Sequence, residues 1–158
     1  MDGVIWLLGF VLCVLCSIAG IIGNGMTICI FILINKFRNP IGLHVLGLTI
    51  FDFIASSIII PLKASFFFYE AHWKLGKFMC YLDKFFAYGA SSISIMFITS
   101  IAFNRWIKMN WSAQTYNKIF TKRTSLMIVI CIPVLGYLPV VLGFFGITSK
   151  FDAMRFYK

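Results

Sequence analysis

Residues 4–34 read VIWLLGFVLCVLCSIAGIIGNGMTICIFILI, from Val4 to Ile34, without one charged side chain. A helix crosses the hydrocarbon core with about 20 apolar residues, since each residue advances about 1.5 Å, so this run is long enough to span. A cleaved signal peptide would carry positive charge before a shorter apolar core. Here Asp2 precedes the run, and Lys36 and Arg38 follow it. Three more apolar segments lie downstream: one from about Ile41 to Leu62, broken only by Asp52, one from about Phe78 to Phe103, and one from about Leu126 to Ile147 that contains Pro133 and Pro139. Lipid offers no partner to backbone N–H and C=O groups, so each must satisfy its own as a helix. The predicted architecture is an all-α membrane protein, a single unit over 1–158 with helices at about 4–34, 41–62, 78–103 and 126–147.

Composition agrees. Of 158 residues, 61% are hydrophobic and only 12% charged, against about 25% charged in an ordinary soluble domain. Eighteen Phe exclude disorder, and five Cys are too few for a disulfide-dense secreted module. The net charge of +9 does not indicate nucleic acid, because the bases fall in short stretches between apolar runs, as in loops at a membrane surface. The partner this implies is membrane lipid. No base precedes the first helix and two follow it, which places the N-terminus outside and, after four crossings, the C-terminus outside as well. The second inner loop carries Arg105, Lys108, Lys118, Lys122 and Arg123 with no acid. The sequon Asn110-Trp111-Ser112 then lies inside and is expected to stay unglycosylated.

A carboxylate at mid-membrane costs at least about 2.5 kcal/mol, so Asp52 requires a partner. Counted from the inner helix ends at about 1.5 Å per residue, Asn24, Asp52 and Ser94 all lie about 15–17 Å deep. Three helices thus bring polar residues to one layer, suited either to a cation or to a protonated Asp52 hydrogen-bonded to Asn24. On the third helix, Ala87, Ser91, Ser94, Ile98, Ile101 and Arg105 recur at three- or four-residue steps and form one stripe. Small residues on spanning helices more often serve close packing, the role expected of Ala19 and Gly23. His44 and His72 lie near loops, and no nucleophile–base pair stands out, so an enzyme is not expected.

Several spacings then coincide: Gly23-Asn24, Leu48 and Asp52 with Pro61 beyond them, Trp73-Lys74-Leu75-Gly76 before Cys80, and Cys80 followed 25 residues later by the arginine of Asn104-Arg105-Trp106. That last interval is about 37 Å of helix, one membrane crossing. Together these residues resemble the first four helices of a rhodopsin-like (class A) G-protein-coupled receptor. Asn104-Arg105-Trp106 followed by Tyr116-Asn117-Lys118-Ile119-Phe120 is similar to segments of melatonin receptors and of the invertebrate receptors moody and trapped-in-endoderm. Gly47, Trp106 and Ile130 depart from the usual Asn, Tyr and Trp.

The resemblance implies a seven-helix bundle of which four helices are present, and a receptor that passes an extracellular ligand signal to a heterotrimeric G protein at the plasma membrane. It implies coupling through Asn104, Arg105 and Trp106, and an allosteric sodium ion on Asp52 and Ser94 near Asn24, with no other cofactor. Ala87, Tyr88 and Ser91 would line the ligand pocket, and Ala87, where amine receptors place an acid, argues against a cationic amine. Cys80 would form a disulfide whose partner is absent from this sequence, since no Cys follows Cys131. The chain reads as a fragment or truncated product, inactive alone. The alternatives are a four-helix protein that dimerises with and modulates full-length receptors, or a small transporter or channel subunit.

Overall fold

The computed structural model describes residues 2–35, 39–70 and 74–144, and four of its helical stretches are long and apolar enough to cross a membrane. The first is α1 (Asp2–Leu33). The second is continuous over Pro40–Phe68 but not uniform: α2 (Pro40–Ile54), a π-helical turn (Ala55–Ile59) and α3 (Ile60–Phe68). The third is α4 (Gly76–Asn110) and the fourth α6 (Lys122–Phe144), with a short α5 (Ala113–Ile119) between them. Among the described residues there is no strand. The expected all-α membrane architecture is therefore what forms.

Three boundaries differ from those predicted by more than two residues, each for a local reason. The second span continues six residues past Leu62, because the π turn precedes Pro61 and leaves it in the first turn of α3, where its missing N–H costs least. The third runs on to Asn110, since Arg105 and Lys108 lie beyond the hydrocarbon and long basic side chains do not end a helix that reaches the interface. The fourth begins at Lys122, four residues early, where Thr121 Oγ1 accepts from Thr124 N at 3.1 Å and supplies an N-cap. The expected end at Ile147 lies outside the described residues.

Caps and turns fix the remaining entries. Asn39 Oδ1 accepts from Gly42 N at 2.8 Å with Pro40 in the first turn, so α2 starts where its donors are satisfied. Gly76 opens α4 at φ +82°, a left-handed conformation that favours glycine and accounts for its place after Leu75. Ser112 caps the missed helix α5 by accepting from Thr115 N at 3.3 Å.

The second span is central. Its α2 segment packs on α1, α4 and α6, and α3 packs on α1. The main core comprises Ile93, Phe97 and Ile132, enclosed by Leu48, Phe51, Met96, Ile128, Val129 and Tyr137. Glycine lets it close. A Cβ at Gly47 would stand 2.6 Å from the Phe97 ring, which gives a packing reason for glycine where the family commonly has Asn. On α1 the packing face is not Ala19 and Gly23, as expected, since Ala19 is exposed and a Cβ at Gly23 would meet nothing. Gly9, against Phe67, and Gly20, against Ser56, occupy that face instead. The outward side of α1 leaves Val4, Leu8, Leu12, Leu15 and Ile22 exposed, a surface suited to lipid tails rather than water.

Candidate functional site

Midway along the second and third spans, Ser94 Oγ on α4 donates to Asp52 Oδ1 on α2 at 2.8 Å, and both residues are half-buried. Asn24 does not join them in this geometry: its Nδ2 donates to Gly20 O, within its own helix, at 2.9 Å. A second polar strand runs beside this pair. Ser17 Oγ donates to Ser56 O at 2.7 Å, and Ser56 Oγ donates to Asp52 O at 2.7 Å. The π turn that carries Ser56 thus joins α1 to the backbone of Asp52, and α4 holds its carboxylate. Sequence reasoning missed Ser17 and Ser56, although Ser17, Gly20 and Asn24 share one helical face.

The Asp52–Ser94 pair can be tested for fit to sodium by its donors. An alkali ion takes hard oxygen ligands, and here a carboxylate and a hydroxyl from two helices lie within 2.8 Å of each other. The Ser94 oxygen keeps lone pairs while its proton bonds Asp52. The two side chains fit the ion as an incomplete set. Among the described residues no group of three His, Cys, Asp or Glu side chains forms a transition-metal site.

At the other end of α4 the three motif residues part company. Arg105 and Trp106 are exposed, whereas Asn104 is fully buried. Its Oδ1 accepts from the hydroxyl of Tyr116, on α5, at 3.0 Å. Asn104 therefore seats the loop helix and is not presented at the surface with its neighbours, because a step of 100° per residue turns it inward when Arg105 turns out. Burial pushes the Tyr116 phenol up, so it remains a neutral donor at physiological pH. Tyr116, Phe120 and Ile107 form a second small core. His44, expected near a loop, is completely buried; its Nδ1 lies 2.8 Å from Ser100 Oγ and its ring meets Phe120 edge-on. His72 lies outside the described residues.

At the Cys80 end, Ala87 is half-buried, and Tyr88 and Ser91 are exposed on the face of α4 that no described helix covers. Cys80 is fully buried. An ion pair missed in the sequence stands here: Lys63 on α3 donates to Asp83 on α4, whose side chain has no exposure at all. The signal was present, as opposite charges sit at the same end of adjacent spans, two residues after Pro61 and three after Cys80.

The arrangement, with a carboxylate bound at mid-helix, an outward arginine at one end and a buried cysteine at the other, can be set beside known proteins. The family described as 7 transmembrane receptor (rhodopsin family) matches residues 23–154. The chain belongs to that family. It is 27% identical to the G-protein coupled receptor moody of Drosophila pseudoobscura pseudoobscura over 84% of this chain and 20% of that protein. It is likewise 27% identical to Probable G-protein coupled receptor 34 of Mus musculus over 79% of this chain and 34% of that protein. A shorter match, 38% identical over 63% of this chain, is to the rhodopsin of Camponotus atriceps, of which it covers 26%. The chain thus spans between a fifth and about a third of the length of these relatives. Membership in that family, with four helices long and apolar enough to cross a membrane, makes it a multi-pass membrane protein.

Proposed function

We propose that these helices form part of a G-protein-coupled receptor of the plasma membrane, with both ends of the chain outside and the Arg105 end facing the cytoplasm. The observation that carries this reading is the two-faced character of α4. Ile93, Phe97, Asn104 and Ile107 are buried on one side, while Tyr88, Ser91, Ile95, Ile98 and Arg105 are exposed on the other. The three further helices of a rhodopsin-family bundle would cover that open face. The extracellular ligand would then lie against Ala87, Tyr88 and Ser91, and the heterotrimeric G protein against Arg105 and Trp106, with Asn104 and Tyr116 holding the loop that flanks them. Coupling needs both sites and two states of the bundle between them, so this chain by itself is inactive.

Sodium, on this reading, binds Asp52 and Ser94 and favours the inactive state. The test is reconstitution with a separately expressed segment supplying the other three helices, followed by agonist binding across a sodium titration. Sodium should weaken agonist binding in the wild type and have no effect after Asp52→Asn, which removes the charge; Ser94→Ala should act in the same direction more weakly, since it removes only a neutral oxygen. Equal sodium responses in wild type and Asp52→Asn reject the ion site, and guanine-nucleotide exchange driven by the 158-residue chain alone rejects the reading that these four helices need the other three to signal.

Orientation has its own measurement. Asn110, exposed and with its Nδ2 bonded to Trp106 O at 2.9 Å, belongs to a sequon on the proposed cytoplasmic side. Translation into microsomes should give a band unmoved by glycosidase, and a shift that vanishes in Asn110→Gln would reverse the topology.

A further inference from the structure

Two adjoining cavities open at the Arg105 end of the bundle, and both are lined by Asn39, Ile41 and Lys108. The first, about 440 Å³, is an apolar slot between Ile30 and Phe31 of α1 and Val45 and Leu46 of α2. Val45 is five residues into α2, so the slot rises about 8 Å from the helix start into the hydrocarbon layer. The second, about 370 Å³, reaches Tyr116 and Asn117 on α5 and is the more polar of the two. The Lys108 ammonium stands between them, 5.9 Å from the centroid of the Tyr116 ring.

We propose that this composite groove binds one anionic phospholipid, with an acyl chain in the slot between α1 and α2 and the phosphate on Lys108 beside Asn117. The chemistry on the two sides of Lys108 matches the two halves of such a molecule. A second helix seated in the slot would cover the Lys108 ammonium, whereas a phosphate brings the charge that satisfies it, and no acid occurs anywhere between Arg105 and Arg123 to do so. The same lack of acids favours a net-negative headgroup over a zwitterionic one, whose own cation would meet Lys108, Lys118 and Lys122. Only contact of the Arg105 end with a membrane surface is required. Loss of G-protein coupling would leave the lipid site standing, and loss of the lipid site would leave the receptor reading standing.

Native mass spectrometry of the full 158-residue chain in detergent tests this with phosphatidylserine and phosphatidylcholine of identical acyl chains. Phosphatidylserine should be preferred about fivefold, the effect of one lysine near a headgroup. Lys108→Gln should remove the preference, whereas Lys118→Gln should keep most of it. Ile30→Trp, at a partly exposed position that tolerates size, should fill the slot and remove bound phosphatidylserine; Val45→Trp checks the same wall from α2. Equal binding of the two lipids, equal losses in Lys108→Gln and Lys118→Gln, or competition by soluble glycerophosphoserine at the same concentration as the whole lipid would overturn the proposal. That last result would mean that the chain reads a free phosphate rather than a lipid.

Discussion

Phe97→Ala should lower the stability of the helix bundle by about 3 kcal/mol, within the range of roughly 3–5 found for buried Phe to Ala changes. Phe97 has no exposure, and its ring sits between Gly47, Phe51 and Val129 with Ile93 and Ile132 beside it. In a membrane protein the loss is chiefly of dispersion contacts, because lipid tails are as apolar as the core and the cavity left behind has no atoms to replace the ring. Gly47→Val attacks the same point from the opposite side. A Cβ 2.6 Å from the ring must displace it, at a cost of about 1–3 kcal/mol. Unfolding in dodecyl sulfate, followed by circular dichroism, reads both. A cost under about 1 kcal/mol for Phe97→Ala would show that α2, α4 and α6 do not close on this ring as described.

The second large effect is expected at the Lys63–Asp83 pair. Removing the lysine takes the ion-pair partner on α3 from a carboxylate with no exposure, and breaking a buried pair in this way costs about 3–5 kcal/mol. Lys63→Met should fall at the lower end, about 3 kcal/mol, because Lys84 lies within electrostatic reach of Asp83 and takes over part of the role. Asp83→Asn should cost less than Lys63→Met, since the lysine left behind is 31% exposed and can turn to water. The double change Lys63→Met with Asp83→Leu should recover most of the loss, as the fully buried charge of the pair is then gone. If Lys63→Met and Asp83→Asn cost the same, and the double variant simply adds the two, the residues are not coupled and the ion pair does not hold α3 to α4.

The stretch from Val4 to Ile34, together with three similar runs, determined the class and the number of crossings, because the hydrocarbon core admits only helices and sets their length. That Asp52 and Ser94 share one level of the bundle was equally legible, since helical rise is fixed, and so was the family, through ordered motifs along the chain. Helix ends were not. Hydropathy marks the hydrocarbon boundary, whereas α4 ends at Asn110 and α3 at Phe68 on capping, side-chain reach and a π turn whose backbone pattern leaves no sign in composition.

Rotation of each helix about its axis was the other quantity missing from the sequence. In a bilayer, apolar side chains face both lipid and core, so the periodicity that betrays a buried face in water is weak here. The glycines on α1 illustrate this: Gly23 and Gly20 are equivalent in sequence, yet only Gly20 meets a neighbour. What the sequence determined by itself was that four helices are long and apolar enough to cross, that Asp52 and Ser94 share one level and which family they belong to, because length, rise and motif order are properties of the chain alone. Only the tertiary structure decided that Ser94 rather than Asn24 holds Asp52, that Asn104 turns inward to Tyr116 while Arg105 turns out, and that Lys63 finds Asp83, because each depends on which face of one helix another helix covers.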